Sequence, residues 1–295
     1  MTLDIVALAG IYGMYACGLT LVFGVLEVLN LAHAATFAFC TLLAMYLTTT
    51  QAWPLWQAAL ITVLAGAVVA IAIDRIAFWP LRRRGAVTAW GKHIGPLLSS
   101  LALATILLGV DQVAFGLDPR HFPDRVLPTA TLHLGSGAIP LVSAVSTALF
   151  VVLVIALTAA LRKTRWGLEV RAVAEQSTTA ALFGVNGERR FIETMAVSGA
   201  LAALAGLAYG LTFNIASPDT SSQLDVKGFA LVVLGGLGSV PGSLVGATVI
   251  AAIEVSGAKW LPHGTEQLLV FGVLFLLLVV RPQGIFGTKI AAGAR

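Results

Sequence analysis

The chain has 295 residues, of which 58% are hydrophobic and 11% charged, and its mean hydropathy is +0.92; one water-soluble globule of this size could not hide that much apolar surface. Its long uncharged stretches lack the alternation of an outer-membrane barrel, which leaves a polytopic helical membrane protein. The net charge of +4 does not point to nucleic acid, because basic excess in such a chain is usually topological.

The start, MTLD, carries no basic residue, so the first apolar stretch reads as a retained span near Ile5–Phe23 rather than a cleaved signal. Cys17 and Cys40 both fall inside apolar segments, and no disulfide framework is expected. Glu27, Asn30 and His33 follow at i, i+3 and i+6. On one helix the first two would be neighbours, with His33 displaced by about 60 degrees. They could face a solute path, where costly intramembrane polar groups gather, or cap a helix junction in interfacial water. A second span is expected near Ala34–Leu47 and a third near Trp56–Phe78. Asp74 and Arg75 are expected at the membrane surface, the long side chain snorkelling to water.

A basic loop around Arg82–Arg84 precedes a span near Ile94–Phe115. Asp111 and Gln112 close that span and are expected in interfacial solvent. After a loop rich in Pro and Gly, the next span runs near Ile139–Leu161. The chain then leaves its apolar context for RKTRWGLEVRAVAEQSTTAALFGVNGERR, residues 162–190, with 6 basic and 3 acidic residues. Within it Arg171–Phe183 is rich in helix formers, with Val173, Ala180, Leu182 and Phe183 among polar residues, and Gly184 and Asn186-Gly187 supply the stop. Such a helix can dock apolar knobs into a partner's groove. A solvated connector is the alternative.

A further span is expected near Phe191–Phe213. The last apolar region is interrupted by GGLGSVPG at 235–242, where 5 of 8 residues are Gly or Pro. Neither a dinucleotide fingerprint nor a P-loop is present. Two readings fit: glycines that let helices pack closely, or a break that lines a solute path with Gly235, Gly236, Gly238 and Pro241. VFGVLEVLN at 22–30 resembles VLGGLGSVP at 233–241, which is either a parallel internal repeat or chance.

Of 18 Lys and Arg, 4 lie in Arg82–Lys92, 6 in Arg162–Arg190 and 3 from Arg281 onward. The positive-inside rule makes these segments cytoplasmic, the N-terminus external and the C-terminus internal, with about eight or nine passes. The five histidines show no metal-ligand spacing, and there is no nucleophile triad or carboxylate pair. Neither metal nor enzyme chemistry is expected.

These segments carry a family resemblance. GLTLVFGVLEVLNLAHA, DRIAFWPLRRR at 74–84, RAVAEQSTTAALFGVN at 171–186, KGFALVVLGGLGSVPGSLVG and RPQGIFG at 281–287 resemble signatures of the permease subunits of bacterial branched-chain amino acid ABC importers, specifically the LivH-like branch. The chain departs from them at Glu27, usually small, at Ala34, usually Gly, and in the Glu-Ala-Ala-x-x-x-Gly loop motif, which survives as Thr178-Thr179-Ala180-x-x-x-Gly184. Urea or amides therefore stand beside branched-chain amino acids as solutes. The resemblance implies one all-α transmembrane permease domain, 1–295, in the bacterial cytoplasmic (inner) membrane, surrounded by lipid. Its implied partners are a second, LivM-like permease chain, cytoplasmic ATPase subunits and an external solute-binding protein. ATP would be used by those ATPases and no cofactor held by this chain. Arg171, Ala180, Ala181, Leu182, Phe183 and Gly184, in the coupling loop 162–190, would transmit their closure and drive alternating access. An ion-coupled transporter or channel is the rival, with Glu27 and Asp111 as its embedded carboxylates.

Overall fold

The computed structural model describes residues 2–84, 89–124, 126, 130–134, 137–260, 266–281 and 284–286. Helix α1 (Thr2–Leu26) is apolar on all sides, and such a helix belongs in an interior. It is the central post: 83% of its apolar stretch is buried, against α6 (Leu141–Lys163), α8 (Gly187–Phe213), α9 (Thr220–Gly235) and α10 (Val240–Trp260). Helix α2 (Ala32–Thr49) is nearly as enclosed. Its Thr36, Thr41 and Thr48 hydroxyls donate to carbonyls one turn back at 2.8, 2.9 and 2.8 Å, which satisfies them without water.

Helix α3 (Leu55–Ile73) runs through a π-helical turn, Asp74–Phe78, into α4 (Trp79–Arg84). The widened turn lies just ahead of Pro80, which has no amide to donate and whose ring crowds the carbonyl four residues back. Helix α5 (Ala89–Phe115) and α6 are peripheral, with only 22% and 17% of their apolar stretches buried. Between them, where only a loop is expected from sequence, β1 (Thr131–Leu134) pairs antiparallel with β2 (Gly137–Pro140). Helix α7 (Arg165–Leu182) follows α6, and α11 (Glu266–Val280) ends the helical part.

Seven described helices are long and apolar enough to cross a membrane. The expected eight or nine passes require one or both of two shorter helices, α9, with 16 residues, and the apolar stretch Leu268–Val280 of α11.

The contacts sort the connections to two ends. At one end Arg82 of α4 reaches Glu188 of α8 at 3.3 Å, Ser100 of α5 accepts from Leu31 N and donates to Leu29 O, and Gly24 of α1 abuts Gly238. At the other end Arg120 pairs with Ala216, and Asn214 accepts from the Phe122 amide at 2.8 Å. The basic segments beginning at Arg82 and Arg162 thus share one end, as the sequence predicts. Arg125, Lys289 and Arg295, which also entered that reading, lie outside the described residues, as do Pro282, Gln283 and Gly287 of the closing motif.

Candidate functional site

The amphipathic stretch after α6 folds into α7, laid across the basic end. Thr164 caps it, its hydroxyl accepting from Gly167 N at 3.1 Å. The first half is clamped to α8: Trp166 Nε1 donates to Glu193 at 2.8 Å, and Arg190 pairs with Glu169 at 2.9 Å. Val170 and Val173 pack with Leu21 and Val25 of α1 and with Phe191. Arg171 points outward, its Nε donating to the Gly167 carbonyl at 3.3 Å.

Arg171–Phe183 is not one continuous helix, as the sequence suggests. Gln176 adopts φ −159° and ψ 100°, which breaks α7 into two pieces. The second piece ends in a Schellman closure, with Val185 N donating to Ala180 O and Gly184 N to Ala181 O at 3.1 and 3.0 Å. Gly184 makes this possible through its φ of +80°. Ala180 is turned inward, 4% exposed, whereas Leu182 and Phe183 are 86% and 83% exposed. Ala181 and Gly184 lie on the exposed side with them.

Behind the break is a cleft of about 670 Å³, lined by Val25–Val28 of the α1 end, Phe78, Leu81, Arg82, Pro96, Val173–Thr178, Glu188 and Phe191. Arg82 organises its floor. It grips Asp74 bidentately at 2.8 and 3.2 Å, reaches Glu188 with Nε and Nη2, and sits 4.6 Å above the Phe191 ring. Asp74 is therefore fully buried and paired, not solvated at the surface as its position beside Arg75 suggests. The π turn brings residues 74 and 82 together. Only Arg75 meets the surface expectation, exposed beside Trp79. Asp111 also departs from expectation: it is 1% exposed, and neither carboxylate oxygen has a hydrogen-bond partner among the described residues.

Glu27, Asn30 and His33 do not share a helix. Helix α1 ends at Leu26, and Glu27 takes a left-handed φ of +54°. Glu27 is exposed on the cleft. Asn30 is buried in the link, and His33 on α2 turns into the core. His33 Nε2 lies 3.1 Å from Tyr15 O, and its Nδ1 3.3 Å from Ser198 Oγ. The three residues thus divide among a cleft wall, a link and the α1–α8 packing.

GGLGSVPG forms the tight α9–α10 turn beside the last turn of α1 rather than a break in mid-span. Gly236 and Gly238 take φ of +101° and +79°. Gly235 is pressed on the Gly242 carbonyl, and Gly238 on Gly24 at 3.2 Å from where a Cβ on the latter would lie. Pro241 sits exposed in the first turn of α10, where a missing amide costs nothing. The chain returns after α11: Ile285 N and Phe286 N donate to Leu234 O and Gly235 O at 3.0 and 3.2 Å, capping α9. Close packing accounts for Gly235 and Gly242, and positive φ for Gly236 and Gly238. The two segments that look like repeats, 22–30 and 233–241, are both helix ends at the same end of the bundle, and Gly24 and Gly238 bring them into contact.

A model of the family described as "Branched-chain amino acid transport system / permease component" matches residues 1–279. The chain is 28% identical over 290 residues to the high-affinity branched-chain amino acid transport system permease protein LivH of Salmonella typhimurium, covering 96% of this chain and 93% of that one. It is 26% identical over 287 residues to BraD, the corresponding permease protein of Pseudomonas aeruginosa, covering 94% and 91%. It is similar in part to the xylose transport system permease protein XylH of Haemophilus influenzae, 34% identical over 155 residues, 48% of this chain and 41% of that one. No solved structure matches significantly. With the family match running from α1 nearly to the end of α11, the chain belongs to the permease components of branched-chain amino acid transport systems.

Proposed function

We propose that this chain carries branched-chain amino acids, or a related small polar solute, inward across the cytoplasmic membrane as one half of a permease pair. The observation that carries this reading is the geometry of α7: a helix braced on the bundle by an ion pair and an indole hydrogen bond, broken at Gln176, with Leu182 and Phe183 standing out into solvent. Large apolar side chains exposed together beside charged groups fit a partner's groove. In the proposed assembly that partner is a cytoplasmic ATPase subunit. It hydrolyses ATP, and this chain performs no chemistry. A LivM-like chain would complete the path and a solute-binding protein would deliver the solute from outside. The partial likeness to a xylose permease keeps the solute class wider than amino acids.

Buried anchors dominate interface energies, each typically contributing about 2 kcal/mol or more, while rim groups contribute under about 1. Leu182→Ala with Phe183→Ala is therefore expected to lose ATPase co-purification and solute uptake while leaving the thermal stability of the permease unchanged, since neither side chain is packed on the bundle. Arg171→Ala, at the rim, is expected to change co-purification little. A stable double variant that still binds its ATPases and transports normally would falsify the docking role.

The same reading sets the sidedness. Cysteines placed at Arg83 and Arg171, in a background without Cys17 and Cys40, are expected to react with an impermeant maleimide only after cells are permeabilised. A cysteine at His121, exposed at the opposite end, is expected to react in intact cells. Labelling at Arg83 or Arg171 in intact cells overturns this orientation.

A further inference from the structure

Three helices bring opposite charges together away from the basic end. Lys227 of α9 pairs with Glu254 of α10 at 2.7 Å. The Tyr12 hydroxyl of α1 donates to Glu254 Oε2 at 2.8 Å and accepts from Lys227 Nζ at 3.2 Å. Tyr209 of α8 packs against the same apolar cluster as Tyr12. Lys227 is seven residues into α9 and Glu254 six from the end of α10, which places both about 10 Å below the end of the bundle opposite the basic one.

A charge pair at that depth needs an explanation. Ionisable groups inside a membrane are costly and face a bundle interior or a watery cavity, and a buried ion pair is weak evidence for a stabilising role. This pair is also not sealed. The two side chains remain 15% and 21% exposed, and their hydrogen-bonding capacity is not exhausted. An ammonium has three donors, of which Lys227 uses two; a carboxylate has about four acceptor sites, of which Glu254 uses two. A free donor on a cation and free acceptors on an anion, held side by side and partly exposed, are complementary to a small zwitterion. Phe213, its ring tilted by 46° against Tyr209 with centroids 4.8 Å apart and 48% exposed, offers apolar surface one turn nearer the same end of the bundle.

We propose that Lys227, Glu254 and Tyr12 form a transient binding site for the zwitterionic headgroup of an α-amino acid on its way through the membrane. Lys227 receives the α-carboxylate and Glu254 the α-ammonium, while Tyr12, hydrogen-bonded to both, holds the two side chains in orientation. This rests on the importer reading above and narrows its solute class to amino acids. The rival is a brace that merely ties α9 to α10.

The test uses the complete importer, with its binding protein, second permease chain and ATPases, in cells without other leucine uptake and in lipid nanodiscs. Lys227→Met and Glu254→Gln are each expected to lower radiolabelled leucine uptake at least tenfold, with assembly and binding-protein-stimulated ATP hydrolysis within twofold of wild type. Lys227→Arg is expected to retain measurable uptake. The swapped pair, Lys227→Glu with Glu254→Lys, rebuilds a brace but reverses the headgroup's orientation, so it is expected to recover thermal stability and not uptake. Normal uptake by either neutral variant, or full recovery of uptake by the swapped pair, overturns the proposal. Wild-type importer that takes up xylose or urea but no amino acid overturns both this site and the amino acid reading. Wild-type uptake of leucine with unaffected variants removes the site alone.

Discussion

Replacing Arg82 by methionine is expected to destabilise the bundle by about 3–5 kcal/mol, the cost of leaving a buried charge without its partner. Asp74 is fully buried, and both its oxygens are held by the Arg82 guanidinium. Methionine keeps much of the apolar stem, so the loss isolates the charge rather than the packing. Thermal unfolding of the purified permease would show a large drop in midpoint. Adding Asp74→Asn should return part of it, because a neutral amide no longer needs a counter-ion. By contrast Arg189→Ala removes an exposed pair with Glu193 and is expected to cost under about 1 kcal/mol. An Arg82→Met protein as stable as wild type would mean that the interior tolerates Asp74 without its counter-ion.

The helices themselves are legible in the sequence because a span needs a long uncharged run, and charges and turn residues mark where each run stops. The expected spans near Ile94–Phe115 and Phe191–Phe213 lie within α5 and α8, and only the ends shift. What composition does not carry is register. Asp74 and Arg82 are eight residues apart, more than two turns, and a regular helix would place them differently from the π turn that joins them. Adjacency in sequence pairs Asp74 with Arg75 and sends both to water. Asp111, near the end of its span, invites the same inference and is likewise buried.

The coupling stretch shows a similar division. Its amphipathic character and its stop at Gly184 are written in residue types, and the Schellman closure follows from them. The break at Gln176 is not, since neither Gly nor Pro marks it; Val173 before it and Ala180 after it pack into the same cluster. That packing turns Ala180 inward, while Ala181, Leu182 and Phe183 face out. Glu27, Asn30 and His33 look like one face only while the helix is assumed unbroken. The contacts among Tyr12, Lys227 and Glu254 join three helices distant in sequence, so no local pattern announces them.

Gly199→Leu is expected to prevent the permease from folding, because α3 packs on α8 more closely than any side chain allows. A Cβ on Gly199 would collide with the Gly66 carbonyl and lie 2.5 Å from the Ala70 Cβ. A Cβ on Gly66 would in turn lie 2.5 Å from the Gly199 carbonyl oxygen and 2.8 Å from the Ala203 Cβ. Small residues at this spacing on both helices are what lets two backbones approach inside a membrane, where lipid gives no hydrophobic push to hold them together. Overpacking typically costs about 1–3 kcal/mol when side chains can move aside. Between α3 and α8 the obstacle is backbone, so the helices must separate and lose their mutual packing as well. The expected result is loss of the monodisperse peak in fluorescence-detected size-exclusion chromatography, with full-length protein still made. Gly109→Leu and Gly272→Leu supply the contrast within the same chain: both glycines sit in helices with nothing within 4 Å of an added Cβ, and both variants are expected to elute as wild type does. A Gly199→Leu protein that elutes like them would mean that α3 and α8 are held by contacts other than this close approach.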